Sequence, residues 1–158
     1  MALEIWATVG LVVTLGACTA IDIRSRRMPD WLTLPLIVAG LVFGASDGLV
    51  AGLWSLVGAA IGFLSLYLVS RLYLHLRHQH GLGLGDAKLL AAAGAWLGPL
   101  NLAPVVLIAS VLALGCVQVM RLAGRSVGWQ TTLPFGPFLA LGFFACWCAK
   151  LGGWSWGL

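Results

Sequence analysis

The sequence predicts an all-α membrane protein, a polytopic bundle of six transmembrane helices forming a single domain over residues 1–158. Hydrophobic residues make up 61% of the chain and charged residues 9%, too few polar groups to cover the surface of a water-soluble domain. The long apolar runs show no sustained period-2 alternation. Because hydrocarbon requires every backbone N–H and C=O to be satisfied within the protein, such runs read as helices and not as barrel strands. The basic residues fall between the runs, nearly all on one side of a six-span scheme.

In chain order the spans cover approximately 3–22, 32–46, 49–71, 87–100, 102–120 and 133–150. The first opens in MALEIWATVG, which has an acidic residue and no Lys or Arg. It lacks the basic start of a cleavable signal and reads as a permanent span. The segments beginning at Trp31 and Ala87 fall short of the roughly 20 residues that a bilayer requires. Short spans predict a thinned or water-accessible zone near the loops before them. Gly40/Gly44, Gly48/Gly52, Gly58/Gly62 and Gly94/Gly98 are pairs four residues apart, a spacing that lets helix backbones approach closely in lipid. No repeat or long linker divides the chain.

Arg24, Arg26, Arg27, Arg71, Arg77, Lys88, Arg121 and Arg125 fall on one side of this scheme, and Lys150 alone on the other. Cytoplasmic loops hold the excess of positive charge, so both termini are expected on the non-cytoplasmic side. The net charge of +4 does not indicate nucleic acid, because the basic residues form no continuous patch. The eight Trp, Trp129, Trp154 and Trp156 among them, read as interfacial belts. Cys18, Cys116, Cys146 and Cys148 lie in apolar stretches without CxxC spacing and read as buried thiols. His75, His78 and His80 read as solvated loop residues at a basic membrane face. No metal site and no cofactor are expected.

The five acidic residues divide by side. Glu4 and Asp47 fall on the outer side, while Asp22, Asp30 and Asp86 gather on the cytoplasmic side. Asp22 ends the first span, and an ionisable group at membrane depth is by default a functional candidate. Asp86 follows three alternating glycines in HGLGLGDAKLLAAAGAWLG and is expected to open a helix beginning at Ala87. Glycines there free the backbone and leave room for an extended chain to pass the carboxylate, within a polar loop expected from Arg71 to Gly85. Two adjacent carboxyls cannot both ionise easily, so one keeps a shared proton. Such a pair can split an amide with water: the ionised partner takes a proton from water while the protonated one polarises the carbonyl. Asp30 reads as the cap of the helix starting near Trp31, and Lys88 as a partner of Asp86 or of lipid phosphate. A rival reading makes Asp22 and Asp86 a proton or cation path in a small transporter or channel subunit.

Three segments resemble the type IV prepilin peptidases, a branch of the GxGD intramembrane aspartyl proteases. They are IDIRSRRMPDWLTLP at 21–35, GLGLGDAKLLAAAGAWLG at 81–98 and LPFGPFLALG at 133–142. The resemblance implies that Asp22 and Asp86 are catalytic and that Gly83 and Gly85 form the active-site turn. Pro29, Asp30, Lys88, Pro134, Gly136 and Pro137 lie in the same motifs as candidate substrate-binding or supporting residues. It further implies a bacterial inner-membrane endopeptidase with its active site facing the cytoplasm. The expected substrate is a prepilin or pseudopilin with a basic leader and a hydrophobic helix. Members with a methyltransferase carry an N-terminal cytoplasmic region with paired CxxC motifs, which this sequence lacks, so peptidase without methyltransferase is expected. A short form of this kind resembles the enzymes of Flp or tight-adherence pili. Many members place an acid two positions after the first catalytic Asp, where Arg24 stands here.

The absence of a ligand set in the sequence predicts metal-independent activity. Peptide cleavage assayed with and without EDTA should proceed at one rate. Loss with chelator and recovery with zinc would promote the three histidines to a site.

Overall fold

The computed structural model describes residues 2–25, 28–77, 83–124 and 134–153. Six α-helices occur among them: α1 (Ala2–Ser25), α2 (Asp30–Ser46), α3 (Leu49–Arg77), α4 (Leu84–Leu97), α5 (Leu102–Leu122) and α6 (Gly136–Leu151). A single 3-10 turn at Pro99–Asn101 joins α4 to α5, and no strand occurs among the described residues. The all-helical expectation holds. Three stretches, Glu4–Ser25, Leu49–Leu76 and Pro99–Leu122, are long and apolar enough to cross a membrane. The helices α2 and α6 are apolar but shorter. With 14 residues, α4 is about 21 Å long at 1.5 Å per residue, well under the roughly 30 Å of a hydrocarbon core.

That short helix is the centre of the fold. Ala87 and every residue from Leu89 to Leu97 are buried, beneath α2, α3 and α6. A helix that is apolar all round belongs in an interior, and its alanines let its neighbours come close. Along α3 the approach is set by glycine. A Cβ on Gly62 would lie 2.5 Å from the Leu90 carbonyl oxygen, and Cβ atoms on Gly58 and Gly94 would each overlap the other's carbonyl oxygen. These contacts make α3 and α4 antiparallel. A Cβ on Gly142 would meet the Val105 carbonyl oxygen at 2.5 Å, joining α6 to α5 in the same way. Small-residue packing therefore holds at Gly40, Gly44, Gly52, Gly58, Gly62 and Gly94. Gly48 and Gly98 differ. Their φ angles of +117° and +81° end α2 and α4 in a region that other residues rarely adopt, with open space around each Cβ position.

One end of the bundle is tied by polar and aromatic contacts. Lys150 Nζ donates to the Trp96 carbonyl oxygen at 2.9 Å and Asn101 Nδ2 to that of Leu97 at 2.6 Å, so two of the unpaired carbonyls at the end of α4 are satisfied. Trp96 Nε1 donates to the Leu36 carbonyl oxygen at 2.9 Å, and Trp147 Nε1 to Thr8 Oγ1 at 3.0 Å. Phe43 stacks on Trp96 with centroids 5.4 Å apart, and Trp147 meets Trp96 edge-on at 5.2 Å. The start of α1 and the ends of α2, α4 and α6 thus share one end. The other end receives the end of α1 and the starts of α2, α4 and α6.

Three local expectations are corrected. Helix α3 runs on through Arg77, so residues 71–77 are helical and not loop; the leucines of that stretch continue the helical pattern, and Arg71 Nε donates to Tyr67 Oη one turn below at 3.0 Å. Helix α4 begins at Leu84, because Gly83 is already its extended N-cap. Trp96 and Trp147 are buried core residues; Trp129, Trp154 and Trp156 lie outside the described residues. The Gly58–Gly94 crossing yields a test. Replacing Gly94 with Val should lower unfolding stability in detergent by about 1–3 kcal/mol or more through overpacking, whereas Gly10→Ala, with nothing within 4 Å of its Cβ position, should leave the thermal midpoint unchanged or slightly raised.

Candidate active site

The end of the bundle opposite the aromatic cluster gathers Asp22, Asp30 and Asp86. Asp22 lies in the last turns of α1 and is 7% exposed, one turn beyond the fully buried Cys18. The start of α6 presses against it. The backbone N–H of Gly136 is directed at its carboxyl, and a Cβ on Gly136 would lie 2.6 Å from Asp22 Oδ2 and 3.0 Å from Cγ. Only glycine lets the α6 backbone come so near. Asp22 Oδ2 is buried and has no hydrogen-bond partner among the described residues. Most buried side-chain polar atoms find a partner, so an exception calls for an explanation.

Asp86 is the third residue of α4, half-buried. Its N–H donates to the Gly83 carbonyl oxygen at 3.2 Å, and the Gly83 N–H lies against its carboxyl. An acid at this position reaches back to the N-cap amide and sits at the positive end of the helix. Asp22 and Asp86, 64 positions apart in the sequence, are brought close enough for the charge of Asp22 to act on the Asp86 carboxyl. Gly83 and Gly85 both flank this site but differ in tightness. A Cβ on Gly83 would make an ordinary 3.7 Å contact with Asp86 Oδ2, whereas one on Gly85 would collide with Met28 Cβ at 2.7 Å.

The remaining motif residues surround this pair. Pro29, with φ −74° and ψ 135°, is the N-cap of α2, and its carbonyl accepts from the N–H groups of Leu32 at 3.1 Å and Thr33 at 3.3 Å. Gly136 and Pro137 are the first two residues of α6, and Pro134 stands just before them, half-buried. Asp30 does not cap α2. It is already the first helical residue, where its side chain cannot serve the cap, and its carboxylate takes the Lys88 ammonium at 2.5 Å. Lys88 therefore pairs with Asp30, linking α2 to α4 two residues beyond Asp86. Sequence reasoning passed over Met28, whose only signal was its place directly before Pro29-Asp30.

His75 is exposed on α3, while His78 and His80 lie outside the described residues. No group of three or more His, Cys, Asp or Glu able to hold a metal occurs among the described residues. An open apolar groove of about 740 Å³ runs between α1 and α2, lined by Trp6, Leu34, Val38, Val42 and Trp96 among others; neither aspartate borders it.

Comparison with known proteins places this geometry in context. Residues 9–118 match the type IV leader peptidase family, a stretch containing both aspartates and the glycine turn. A prepilin leader peptidase/N-methyltransferase of Dickeya chrysanthemi is 41% identical over 153 residues, covering 94% of this chain and 54% of its own. The protein of that name from Escherichia coli K12 is 45% identical over 131 residues, covering 83% of this chain and 56% of its own. That of Neisseria gonorrhoeae is 37% identical over 153 residues, covering 94% and 51%. The chain spans about half the length of the curated relatives it matches. No solved structure matches it. With more than half its residues matched end to end, the chain belongs to the type IV leader peptidase family.

Proposed function

We propose that this chain is a membrane-embedded aspartyl endopeptidase that removes the leader of a type IV prepilin, with Asp22 and Asp86 as its catalytic pair. The observation that carries the reading is the buried Oδ2 of Asp22, without a partner among the described residues, at a site that also holds Asp86. In the reaction one carboxylate takes a proton from a water molecule, whose oxygen attacks the scissile carbonyl carbon. The other carboxyl, protonated, gives its proton to the carbonyl oxygen. Collapse of the tetrahedral intermediate breaks the C–N bond: the leaving amine takes up the proton held by the first carboxyl, and the second carboxylate takes a proton back from a hydroxyl of the intermediate, which restores the starting protonation of the pair. The Gly136 N–H holds Asp22, and the Gly83 N–H holds Asp86, so both enter the reaction already oriented.

The relatives' printed name carries two activities, and the residues gathered here account for the peptidase one. The topology proposed is six spans with both termini outside and the aspartates at the cytoplasmic face. Arg24, Arg71, Lys88 and Arg121 support it by lying at the aspartate end, with Lys150 at the opposite one. A leader rich in basic residues would then stay in the cytoplasm while the pilin's hydrophobic helix remained in the bilayer, bringing the scissile bond to the boundary where the pair sits. Flp-type pilins are the proposed substrates. The transporter reading gains nothing, since the far end of α4 is covered by Phe43, Trp96 and Trp147.

The test is incubation of the purified chain with an Flp-type prepilin in detergent, followed by mass spectrometry of the product. Asp22→Asn and Asp86→Asn should each abolish cleavage, because an amide can fill neither proton-transfer role, while Asp47→Asn should cleave like the parent. Appreciable turnover by either of the first two variants would remove the pair from the mechanism. Gly136→Ala should lower kcat by roughly 100-fold or more, since its Cβ must displace Asp22 and misplacement by about 1 Å is that costly; a Gly136→Ala enzyme of parental kcat would show that the α6 start does not orient Asp22.

A further inference from the structure

Met28 reaches from Gly85, the neighbour of Asp86, to Gly136, which lies against Asp22. Its Cβ and Cγ stand 2.7 and 3.1 Å from where a Cβ on Gly85 would be, beside Asp86. Its Cε overlaps the position of a Cβ on Gly136, which would itself lie 2.6 Å from Asp22 Oδ2. The side chain therefore runs from the glycine turn beside Asp86 to the start of α6 beside Asp22. It is half-buried and packs against the core.

The backbone of Met28 is held in place from the following side. Pro29 fixes its own φ and accepts two α2 amides, and Asp30 is tied to Lys88. What remains free is the Met28 side chain, unbranched and with three rotatable bonds, so it can change rotamer at low cost. A peptide bond reaching both carboxyls has to enter the volume that this side chain fills.

We propose that Met28 is a gate and specificity-determining residue: the incoming chain displaces its thioether from between Gly85 and Gly136, then packs the residue flanking the scissile bond against it. The proposal rests on the peptidase reading above. Gly85 and Gly136 leave no side chain of their own in the gap, so Met28 sets its width. A β-branched residue in its place has one strongly preferred rotamer or few and cannot swing aside as readily.

Two prepilins that differ only in having Ala or Leu before the scissile bond provide the test. Met28→Ala should raise kcat/KM for the Leu substrate relative to the Ala substrate by roughly tenfold or more, the scale on which a pocket discriminates a few methylene groups. Met28→Leu should keep the parental ratio, and Met28→Ile should lower kcat for both substrates with an unchanged melting point. A parental ratio in Met28→Ala would overturn the proposal. If the parent cleaves neither substrate the peptidase reading fails first, and a second measurement still decides the gate. In Met28→Cys, mass spectrometry should find the thiol at 28 alkylated by a maleimide in the free protein and protected by a non-cleavable prepilin peptide. Equal alkylation with and without that peptide would refute it.

Discussion

A buried carboxyl oxygen with no partner among the described residues, Asp22 Oδ2, is the constraint on which the arrangement at this end of the bundle depends. Leaving a buried acceptor unanswered costs about 1–3 kcal/mol, and α6 approaches Asp22 Oδ2 so closely that a Cβ on Gly136 would lie 2.6 Å from it. That approach exists because position 136 has no Cβ. Neighbouring features follow from it: Pro137 continues α6 from a start that needs no amide at that position, and Met28 can lie across the same gap. Among the described residues Oδ2 has no partner, and a buried acceptor so placed is suited to meet a water molecule or a substrate group.

The second dependence runs through α4. Too short to span a bilayer as a straight helix, it is sheathed by longer neighbours, and its buried alanines and Gly94 let α3 settle against its backbone. Its two ends carry different chemistry. At the C-terminal end Lys150 and Asn101 answer the last carbonyls and an aromatic cluster closes the bundle. At the N-terminal end the free amides and the helix dipole face Asp86 and its glycine turn.

Much of this was legible in the sequence, for identifiable reasons. Apolar runs and the small number of charges predicted the helices, and the scarcity of acids singled out Asp22 and Asp86, because an ionisable group among so many apolar residues has few structural excuses. What escaped was tertiary. Asp30 has the composition of a cap, but whether a carboxylate turns to its own helix end or to Lys88, 58 residues on, is decided by how α2 crosses α4. Gly48 and Gly98 share the spacing of the packing glycines, yet spacing cannot distinguish a residue chosen for a small side chain from one chosen for positive φ. The run from Arg71 to Arg77 reads as the edge of a loop when its two arginines and its histidine outweigh its leucines. Met28 carried no chemical signal at all; only the two glycines around it, far apart in sequence, reveal that it stands in the gap.

The central claim is that Asp22 of α1 and Asp86 of α4 face each other across one gap. Cysteines placed at both positions, in a chain whose four native cysteines are replaced by Ala or Ser, can be challenged with a short thiol-specific cross-linker in native membranes and read by mass spectrometry. The account predicts an efficient 22–86 cross-link and none between cysteines at 22 and 150, which lie at opposite ends of the bundle. Absence of the 22–86 link under conditions where each thiol reacts singly would contradict it.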